Sequence, residues 1–205
     1  MNHEAELSSL VPDEELWREA ITAADGDLRA FEQLVRQHQK RILADCTHMT
    51  RDPASAEDLA QEVFVKAFFG LHTFEGRSSF KHWLQRIKVH HCLNFLKKRE
   101  SKGTVPFNED SEDFEQLAVA PTAHRDFEEM NDRELVARIL DSLPSTLRVP
   151  LIMRDMDDLP YEEIAHSLGL GLSAAKMRIK RAREEFRRRY EAMTAKSRSA
   201  ARPAL

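Results

Sequence analysis

The chain has 205 residues and a formal net charge of -4, with 31 Lys and Arg against 35 Asp and Glu. This length accommodates one ordinary domain or two small ones. Two cysteines, Cys46 and Cys92, are too few for a disulfide framework and are compatible with a reducing compartment. The N-terminus has no signal-peptide pattern, and no apolar run approaches the roughly 20 residues that span a bilayer. We therefore expect a soluble protein of the cytoplasm.

The charges are segregated along the chain. Residues 77–99 carry seven cations and no carboxylate, and residues 172–190 carry eight cations and two carboxylates. Between them, residues 109–134 carry ten carboxylates and two arginines. Two basic blocks around an acidic block predict two DNA-facing modules, joined by a segment that DNA would repel.

Helical spacing of apolar residues recurs along the chain and strand-like alternation is absent, so we predict an all-α fold. After an N-terminal extension (1–24), a first module (25–99) is predicted to contain helices over 28–46, 54–71 and 79–99. Asp52-Pro53 separates the first two helices, and a loop around Gly76 precedes the third. The predicted inward residues are Leu28, Phe31, Leu34, Val35, Ile42 and Leu43, then Leu59, Val63, Ala67 and Phe68, then Phe80, Leu84, Ile87, His91 and Phe95.

Residues 100–130 combine glycine, proline and many acids with weak periodicity, which predicts a flexible acidic linker. A second module (131–190) is predicted to contain helices over 133–143 and 146–156. Pro144 and Pro160 lie at predicted helix starts, where a missing amide costs little. We expect the tail (191–205) to fray.

Residues 161–189 predict a helix, a turn at Gly169 and Gly171, and a second helix N-capped by Ser173. The first helix has an apolar side of Ile164, Ala165 and Leu168, and the second buries Ala175, Ile179, Ala182 and Phe186. Cations occupy the opposite side of the second helix. A solvated surface helix is the alternative, but the tight turn before it favours a helix-turn-helix that enters the DNA major groove.

The two modules together resemble the extracytoplasmic-function (ECF) group of bacterial RNA polymerase sigma factors. The resemblance rests on five segments in order: DGDLRAFEQLV (25–35), ASAEDLAQEVFVKAF (54–68), FEGRSSFKHWLQRIKVHHCLNFLKKR (74–99), LPSTLRVPLIMRDMDDLPYEEIA (143–165) and AAKMRIKRARE (174–184). Such proteins direct RNA polymerase to promoters and consist of two helical domains on a flexible linker. The resemblance implies core RNA polymerase, promoter DNA and an anti-sigma factor as partners. The sequence has no phosphate-binding glycine-rich loop and no nucleophile–base motif, so we expect no enzymatic activity, cofactor or metal.

Asp58, Gln61 and Glu62 form one polar face of the 54–71 helix. A plain solvated face is the alternative interpretation. The resemblance implies that this face docks on the clamp coiled coil of the largest polymerase subunit. As acceptors, these side chains suit a partner that presents arginines.

The 74–99 segment mixes cations with aromatic rings, which suits a single strand because cations follow phosphates and rings stack on unpaired bases. The alternative, that Phe80, Trp83 and Phe95 are core residues, stays open at this point. The resemblance implies that the 75–80 loop holds a base flipped out of the downstream (−10) promoter element. The candidate strand-binding residues are Glu75, Gly76, Arg77, Ser78, Ser79 and Phe80 in the loop, with Lys81, Lys88 and Asn94 along the helix.

The resemblance assigns base reading in the upstream (−35) element to a single stripe of the second helix: Lys176, Met177, Lys180 and Arg181. Ser173, Arg178 and Arg183 are assigned to phosphate contacts, which carry affinity without sequence information. The chain has Ser173-Ala174-Ala175 where Gly-Thr-Val is frequent in the group, and Lys at 176 and 180 where Arg and an aromatic residue are frequent. These departures bear on the promoter motif and not on the fold.

Two further interpretations compete with these. Cys46-x-His48 and His90-His91-Cys92 could be imagined as a zinc site, but the cysteines are far apart in sequence, and we expect buried structural residues. A dimeric duplex-binding regulator would bind a palindromic site without polymerase, yet the sequence has no evident dimerisation seam. A protein-interaction adaptor would leave the clustering of cations unexplained.

Overall fold

The computed structural model describes residues 11–23, 27–101 and 131–200, and the chain divides into two compact units after Cys92. Every regular element within these ranges is helical, which confirms the all-α prediction. The predicted linker lies mostly outside the described residues, as do the first ten and last five residues. The helices are α1 (Asp13–Thr22), α2 (Arg29–Thr50), α3 (Pro53–Gly70), a one-turn 3-10 helix (Leu71–Thr73), α4 (Phe80–Ser101), α5 (Asp132–Ser142), α6 (Ser145–Leu151), a π-helical turn (Ile152–Met156), α7 (Tyr161–Leu168) and α8 (Leu172–Ala200).

The three helices predicted for the first module are α2, α3 and α4. Asp52 caps α3, where its carboxylate accepts a hydrogen bond from the Ser55 amide at 3.3 Å, and Pro53 follows at the first helical position. Helix α1 was not predicted, although Pro12 precedes it and three acids fill its first turn, where they complement the helix dipole. It packs on α2 within the segment predicted as an extension.

The core of the first unit follows most of the predicted apolar positions. Leu34 and Ile42 of α2 and Val63 and Ala67 of α3 are fully buried. Leu28, Leu43 and Phe68 were predicted to face inward and are exposed instead. Leu43 and Phe68 each follow a buried residue by one position, and a helical step of about 100° turns them towards solvent. The ring of Phe68 then packs edge-on against Phe31, with centroids 5.2 Å apart.

A buried ion pair joins α2 to α4. The Lys88 ammonium lies 3.0 Å from a carboxylate oxygen of Asp45, and both side chains are 0% exposed. Arg41, one turn earlier on α2, donates to the same carboxylate from its Nε at 3.1 Å. Because a buried charge is tolerated only when it is paired, this contact fixes the register of α4 against α2.

The two cysteines also meet between α2 and α4. Cys46 and Cys92 are fully buried with their sulfurs 3.6 Å apart, and both are free thiols. The expectation of buried structural residues is confirmed for the two cysteines, whereas His48 and His91 are half-buried and His90 is exposed. Cys46 follows Asp45 on α2 and Cys92 lies one turn after Lys88 on α4, so the two thiols and the ion pair share the α2–α4 contact.

The second unit is organised around α8, which packs on α5, α6 and α7. Asn131 caps α5, and the buried Arg148 donates to the Leu143 carbonyl at the end of α5 at 2.6 Å. The predicted 146–156 helix is two elements, since α6 ends at Leu151 and a π-helical turn follows. Pro150 lacks the amide that would bond the Thr146 carbonyl, and the backbone widens after it.

The turn before α8 confirms the predicted role of Gly169, which ends α7 in the left-handed region at φ 68°. Ser173 is not the N-cap: α8 begins at Leu172, which places Ser173 in its first turn, and the Gly171 carbonyl accepts the Ala175 amide at 3.0 Å. Helix α8 continues to Ala200, beyond the predicted end of the module at Tyr190, and the rest of the predicted tail (201–205) lies outside the described residues.

We expect Asp45→Ala to lower the free energy of unfolding of the first unit by about 3–5 kcal/mol, because it leaves the Lys88 ammonium buried without its partner. Both tryptophans lie in this unit, so urea denaturation followed by tryptophan fluorescence measures the loss. The double variant Asp45→Leu/Lys88→Met should recover most of it by replacing the pair with apolar volume.

The control is Glu14→Gln, which removes the exposed Arg18–Glu14 pair and should cost less than about 0.5 kcal/mol. A loss for Asp45→Ala no larger than that of the control would contradict the assignment.

Candidate nucleic-acid interface

The three residues predicted to bind polymerase lie together on α3. Asp58, Gln61 and Glu62 are all exposed, and the stripe that they form continues into Val65 and Phe69, which are 52% and 68% exposed. We call these five residues the outer α3 face. Only the polar half of this face was predicted from the sequence, because an apolar residue on a helix is ordinarily predicted to be buried. The face therefore combines acceptors with an uncovered apolar surface.

Glu62 has a partner on the neighbouring helix. Its carboxylate lies 3.3 Å from the His91 Nδ1 of α4, so the predicted inward position of His91 is a half-buried one at the edge of the outer α3 face. The contact holds one acceptor of that face in place.

The loop before α4 is backed by a cluster of aromatic rings. The ring centroids of Phe74 and Phe80 lie 5.0 Å and 5.6 Å, respectively, from the ring centroid of Trp83. Phe80 is 2% exposed, so its proposed contact with a DNA strand is corrected: this ring is a core residue. The open alternative from the sequence is thus decided in favour of the core for Phe80, while Trp83 and Phe95 are half-buried.

The rest of the loop is open to solvent. Glu75, Gly76, Arg77 and Ser79 are exposed and Ser78 is half-buried, with Arg77 and Glu75 in an ion pair. Gly76 adopts φ 69°, a left-handed conformation that suits glycine. The Ser79 hydroxyl accepts the His82 amide at 3.2 Å and so caps the start of α4. The loop thus presents polar groups on a backbone fixed at both ends.

Two cations or polar residues besides Lys88 were predicted to line the path of the strand along α4, and the prediction for Lys88 is wrong. Its ammonium is enclosed with Asp45 inside the first unit and has no surface to offer a phosphate. The sequence pattern could not show that Lys88 is buried and Lys81 exposed, because both are lysines at helical spacing in one basic block. Lys81 and Asn94 are exposed.

A shallow groove of about 410 Å³ lies between α3 and α4. Its walls are Lys66, Gly70, Trp83, Arg86, Ile87, His90 and His91. A Cβ on Gly70 would come within 3.3 Å of the Trp83 ring, so glycine keeps this end of the groove open. Lys66 and His90 were not predicted as neighbours in a groove, because they lie on two different helices that are distant in sequence.

The stripe predicted to read bases is exposed along α8. Lys176, Met177, Lys180 and Arg181 point away from the buried Ala175 and Ile179. We call these four residues the α8 reading face. The Lys176 ammonium lies 5.7 Å from the Tyr161 ring centre, within cation–π range, which restrains the first cation of the face.

The three predicted phosphate contacts differ in their surroundings. Ser173 is exposed in the first turn of α8, where helix amides have no intrahelical acceptor. Arg178 is half-buried, and this burial lowers the pKa of its guanidinium. Arg183 is not a free cation: its Nε donates to Asp155 of the π-helical turn at 2.9 Å. Hydrogen bonds from Arg183 to Asp155 raise the pKa of the guanidinium above its ordinary value.

Further along α8, Glu185 accepts hydrogen bonds from Arg188 and Arg189. The Arg188 bond contributes most to lowering the pKa of the Glu185 carboxyl, against the opposing effect of burial. A lowered carboxyl pKa stabilises the fold at neutral pH, and that contribution is lost in acid as the carboxylate is protonated. Arg189 also donates to the Ser142 carbonyl at the end of α5. Arg189 therefore links α8 to the end of α5, whereas the contact of Arg188 with Glu185 lies within α8.

Comparison with known proteins matches both units to one family. Residues 34–102 match the model described as Sigma-70 region 2, and residues 133–186 match Sigma-70, region 4. The chain is 34% identical over 164 residues to the RNA polymerase sigma-H factor of Pseudomonas aeruginosa, covering 78% of this chain and 85% of the relative. It is 34% identical over 167 residues to the ECF RNA polymerase sigma-E factor of Escherichia coli K12, with the same coverage of 78% and 85%.

Two solved structures share the fold. One is the sigma factor RpoE in complex with the anti-sigma factor NepR from Bartonella quintana, with a TM-score of 0.55 and 22% identity, covering 80% of this chain and 98% of that one. The other is CnrH in complex with the cytosolic domain of CnrY, with a TM-score of 0.54 and 21% identity, covering 88% and 97%. Within the ranges that the structure describes, no helix combines the length and hydropathy of a membrane span.

We expect Asp155→Asn to remove the carboxylate that neutralises the charge of Arg183, so the full-length chain should bind non-specific duplex DNA more tightly. The slope of log K against log salt should steepen by about one, the value for one added phosphate contact. Fluorescence anisotropy over a salt series measures this slope.

Asp158→Asn is the matched control. It removes a carboxylate from the same segment, but one that pairs with Arg154, and Asn tolerates its φ of 58°. Equal steepening in both variants would indicate a general charge effect and contradict the role of the Asp155–Arg183 pair.

Proposed function

Since the chain belongs to the ECF family of RNA polymerase sigma factors, which direct transcription initiation, we propose that its two units hold a promoter in two different ways. The second unit reads duplex DNA at the upstream element, and the first unit captures a melted strand at the downstream element. The observation that carries this division is the contrast between the exposed α8 reading face and the ring-backed loop before α4. The chain itself carries out no catalysis, which stays with the polymerase.

We place polymerase binding on the outer α3 face. Asp58, Gln61 and Glu62 supply acceptors for arginines of the clamp coiled coil, with charge-assisted hydrogen bonds worth about 1.5–3 kcal/mol each. Val65 and Phe69 supply apolar surface beside them. A combination of an apolar centre and a polar rim is typical of protein interfaces.

Upstream recognition is assigned to the α8 reading face. A helix that follows a tight turn and buries its opposite side can enter the major groove as a rigid body. Arg181 can pair with a guanine edge through two hydrogen bonds, and Lys176 is held near its position by the Tyr161 ring. Arg178 and Ser173 remain candidates for phosphate contacts, whereas Arg183 is already bonded to Asp155.

Downstream recognition is assigned to the exposed part of the loop, residues 75–79, and to Lys81 and Asn94 of α4. Extruding a base costs a few kcal/mol, which hydrogen bonds and stacking can offset when the receiving loop is already ordered. The promoter duplex then opens because the melted strand is bound preferentially, and opening needs no ATP. Linking the two units raises the effective concentration of each at the promoter.

The partners follow from this assignment. Core RNA polymerase and promoter DNA are the constitutive partners, and the proposed site of action is the cytoplasm. An anti-sigma factor is the proposed inhibitor, by analogy with the solved complex of the sigma factor RpoE with the anti-sigma factor NepR. The competing hypothesis, a duplex-binding regulator that acts alone, leaves the uncovered outer α3 face without a role.

Run-off transcription with purified core polymerase and genomic templates tests the function, and we expect promoter-specific transcripts only when the chain is added. At a promoter mapped in this way, Arg181→Ala should reduce discrimination between the natural upstream element and single-base variants by about 1–3 kcal/mol. Arg187 is an exposed cation further along α8, and Arg187→Ala should weaken transcription from all templates by the same factor. Specific binding to palindromic duplexes without polymerase, and no specific transcript with it, would support the competing hypothesis.

The outer α3 face is tested by single charge reversal. We expect Glu62→Lys to reduce the affinity for core polymerase by about tenfold or more, because it replaces an acceptor by a cation opposite arginines. Glu32→Lys on α2, which also reverses an exposed carboxylate, is the control and should bind as the unmodified chain does. Joint replacement of Asp58, Gln61 and Glu62 by Lys that leaves the affinity, measured by fluorescence polarisation, unchanged would refute the assignment.

A further inference from the structure

Helix α1 is fixed to α2 by polar contacts at its start. The His38 Nε2 lies 2.9 Å from both carboxylate oxygens of Asp13, and the Gln37 side chain donates to the Val11 carbonyl at 3.0 Å. Leu16 is buried beside them. These contacts give α1 a defined position within the first unit, although it precedes the residues matched to Sigma-70 region 2.

This position brings Trp17 against the loop before α4. The Trp17 ring packs edge-on against Phe74, with centroids 5.0 Å apart and an interplanar angle of 77°. Arg18 covers part of the same ring, with its guanidinium carbon 4.8 Å from the ring centre. Trp17 is half-buried, so one part of its ring contacts the loop and another part stays open.

The contact continues to the middle of the loop. A Cβ on Gly76 would lie 3.2 Å from Cζ2 and 3.3 Å from Cη2 of Trp17, which is closer than side chains ordinarily pack. Gly76 also needs its left-handed backbone, at φ 69°. Glycine is therefore required there both by its conformation and by the approach of the indole. The loop backbone lies directly against a ring from another helix.

We propose that Trp17 is a positioning residue for the loop of residues 74–80 and thereby contributes to base selectivity in the downstream element. The inference rests on the proposed function, in which this loop receives an extruded base. Phe74 and Phe80 anchor the two ends of the loop in the core, and Trp17 supports its centre at Gly76. A loop held in its binding conformation loses less entropy on binding than a mobile one.

The first arm of the test measures the loop itself. In the full-length chain, Trp17→Ala should speed amide hydrogen exchange across residues 74–80 by about two- to tenfold, the range set by loss of one aromatic contact. Exchange in α2 should be unchanged. Trp17→Phe keeps a ring against Phe74 and should restore most of the protection. If the alanine variant does not fold, Trp17→Leu keeps the apolar volume without the ring and serves instead.

The second arm measures base selectivity in run-off transcription with core polymerase. The template set is a promoter mapped with the unmodified chain and single-base substitutions across its downstream element. Trp17→Ala should reduce the ratio of natural to substituted transcript by about two- to tenfold. Val63→Ala removes buried methyl groups from α3 and controls for lost stability, which should lower all transcripts without changing the ratio.

Unchanged exchange in the loop overturns the positioning role. Faster exchange with an unchanged ratio, or an equal change of ratio in Val63→Ala, overturns the contribution to selectivity. If the unmodified chain gives no promoter-specific transcript, the proposed function fails and selectivity falls with it. The exchange arm separates these cases, because it reports the Trp17 contact without polymerase or DNA.

Discussion

Asp45 and Lys88 meet across α2 and α4 without exposure to solvent, and the arrangement of the first unit follows from the need to keep these two charges together. An unpaired charge inside a protein costs several kcal/mol, so any shift of α4 along α2 is opposed by the loss of the pair. The adjacent Cys46 and Cys92 fill the same contact with apolar volume. Once α4 is fixed in register, its first turn places Phe80 and Trp83 beneath the loop, and its outer side forms one wall of the groove with α3.

Pairing of cations within the protein, at Lys88 and elsewhere, also changes the electrostatic surface that DNA would meet. Many cations can be counted in the sequence, but in the structure several of them are bound to acceptors within the protein. Lys88 is enclosed, Arg183 is bonded to Asp155, and Arg189 is bonded to Glu185 and the Ser142 carbonyl. Lys176, Lys180 and Arg181 stay exposed on the reading face, where we propose that they read bases, and Arg187 and Arg188 are exposed further along α8.

The two units use different physical means for the proposed binding. The turn at Gly169 and the packing of α8 on three helices make a rigid duplex reader, whose orientation is set before DNA arrives. In the first unit the element proposed to receive the extruded base is a loop. Since it has no helical hydrogen bonds to order it, other contacts must do so. The Trp17 ring of α1 lies against Gly76 and the Trp83 ring of α4 packs on Phe74, so the loop is exposed but supported.

Periodicity and turn chemistry by themselves determined the helical class, α2 to α8 in outline, and the exposed stripes of α3 and α8, because these depend on neighbours within one helix. The motifs likewise identified the family, since five segments in a fixed order are a property of the chain. Only the tertiary structure decided that Lys88 and Phe80 are interior, that Arg183 is already bonded, and that α1 reaches the loop through Trp17. Each of these depends on a residue distant in sequence, and a helical pattern cannot distinguish a lysine facing water from one facing a buried carboxylate.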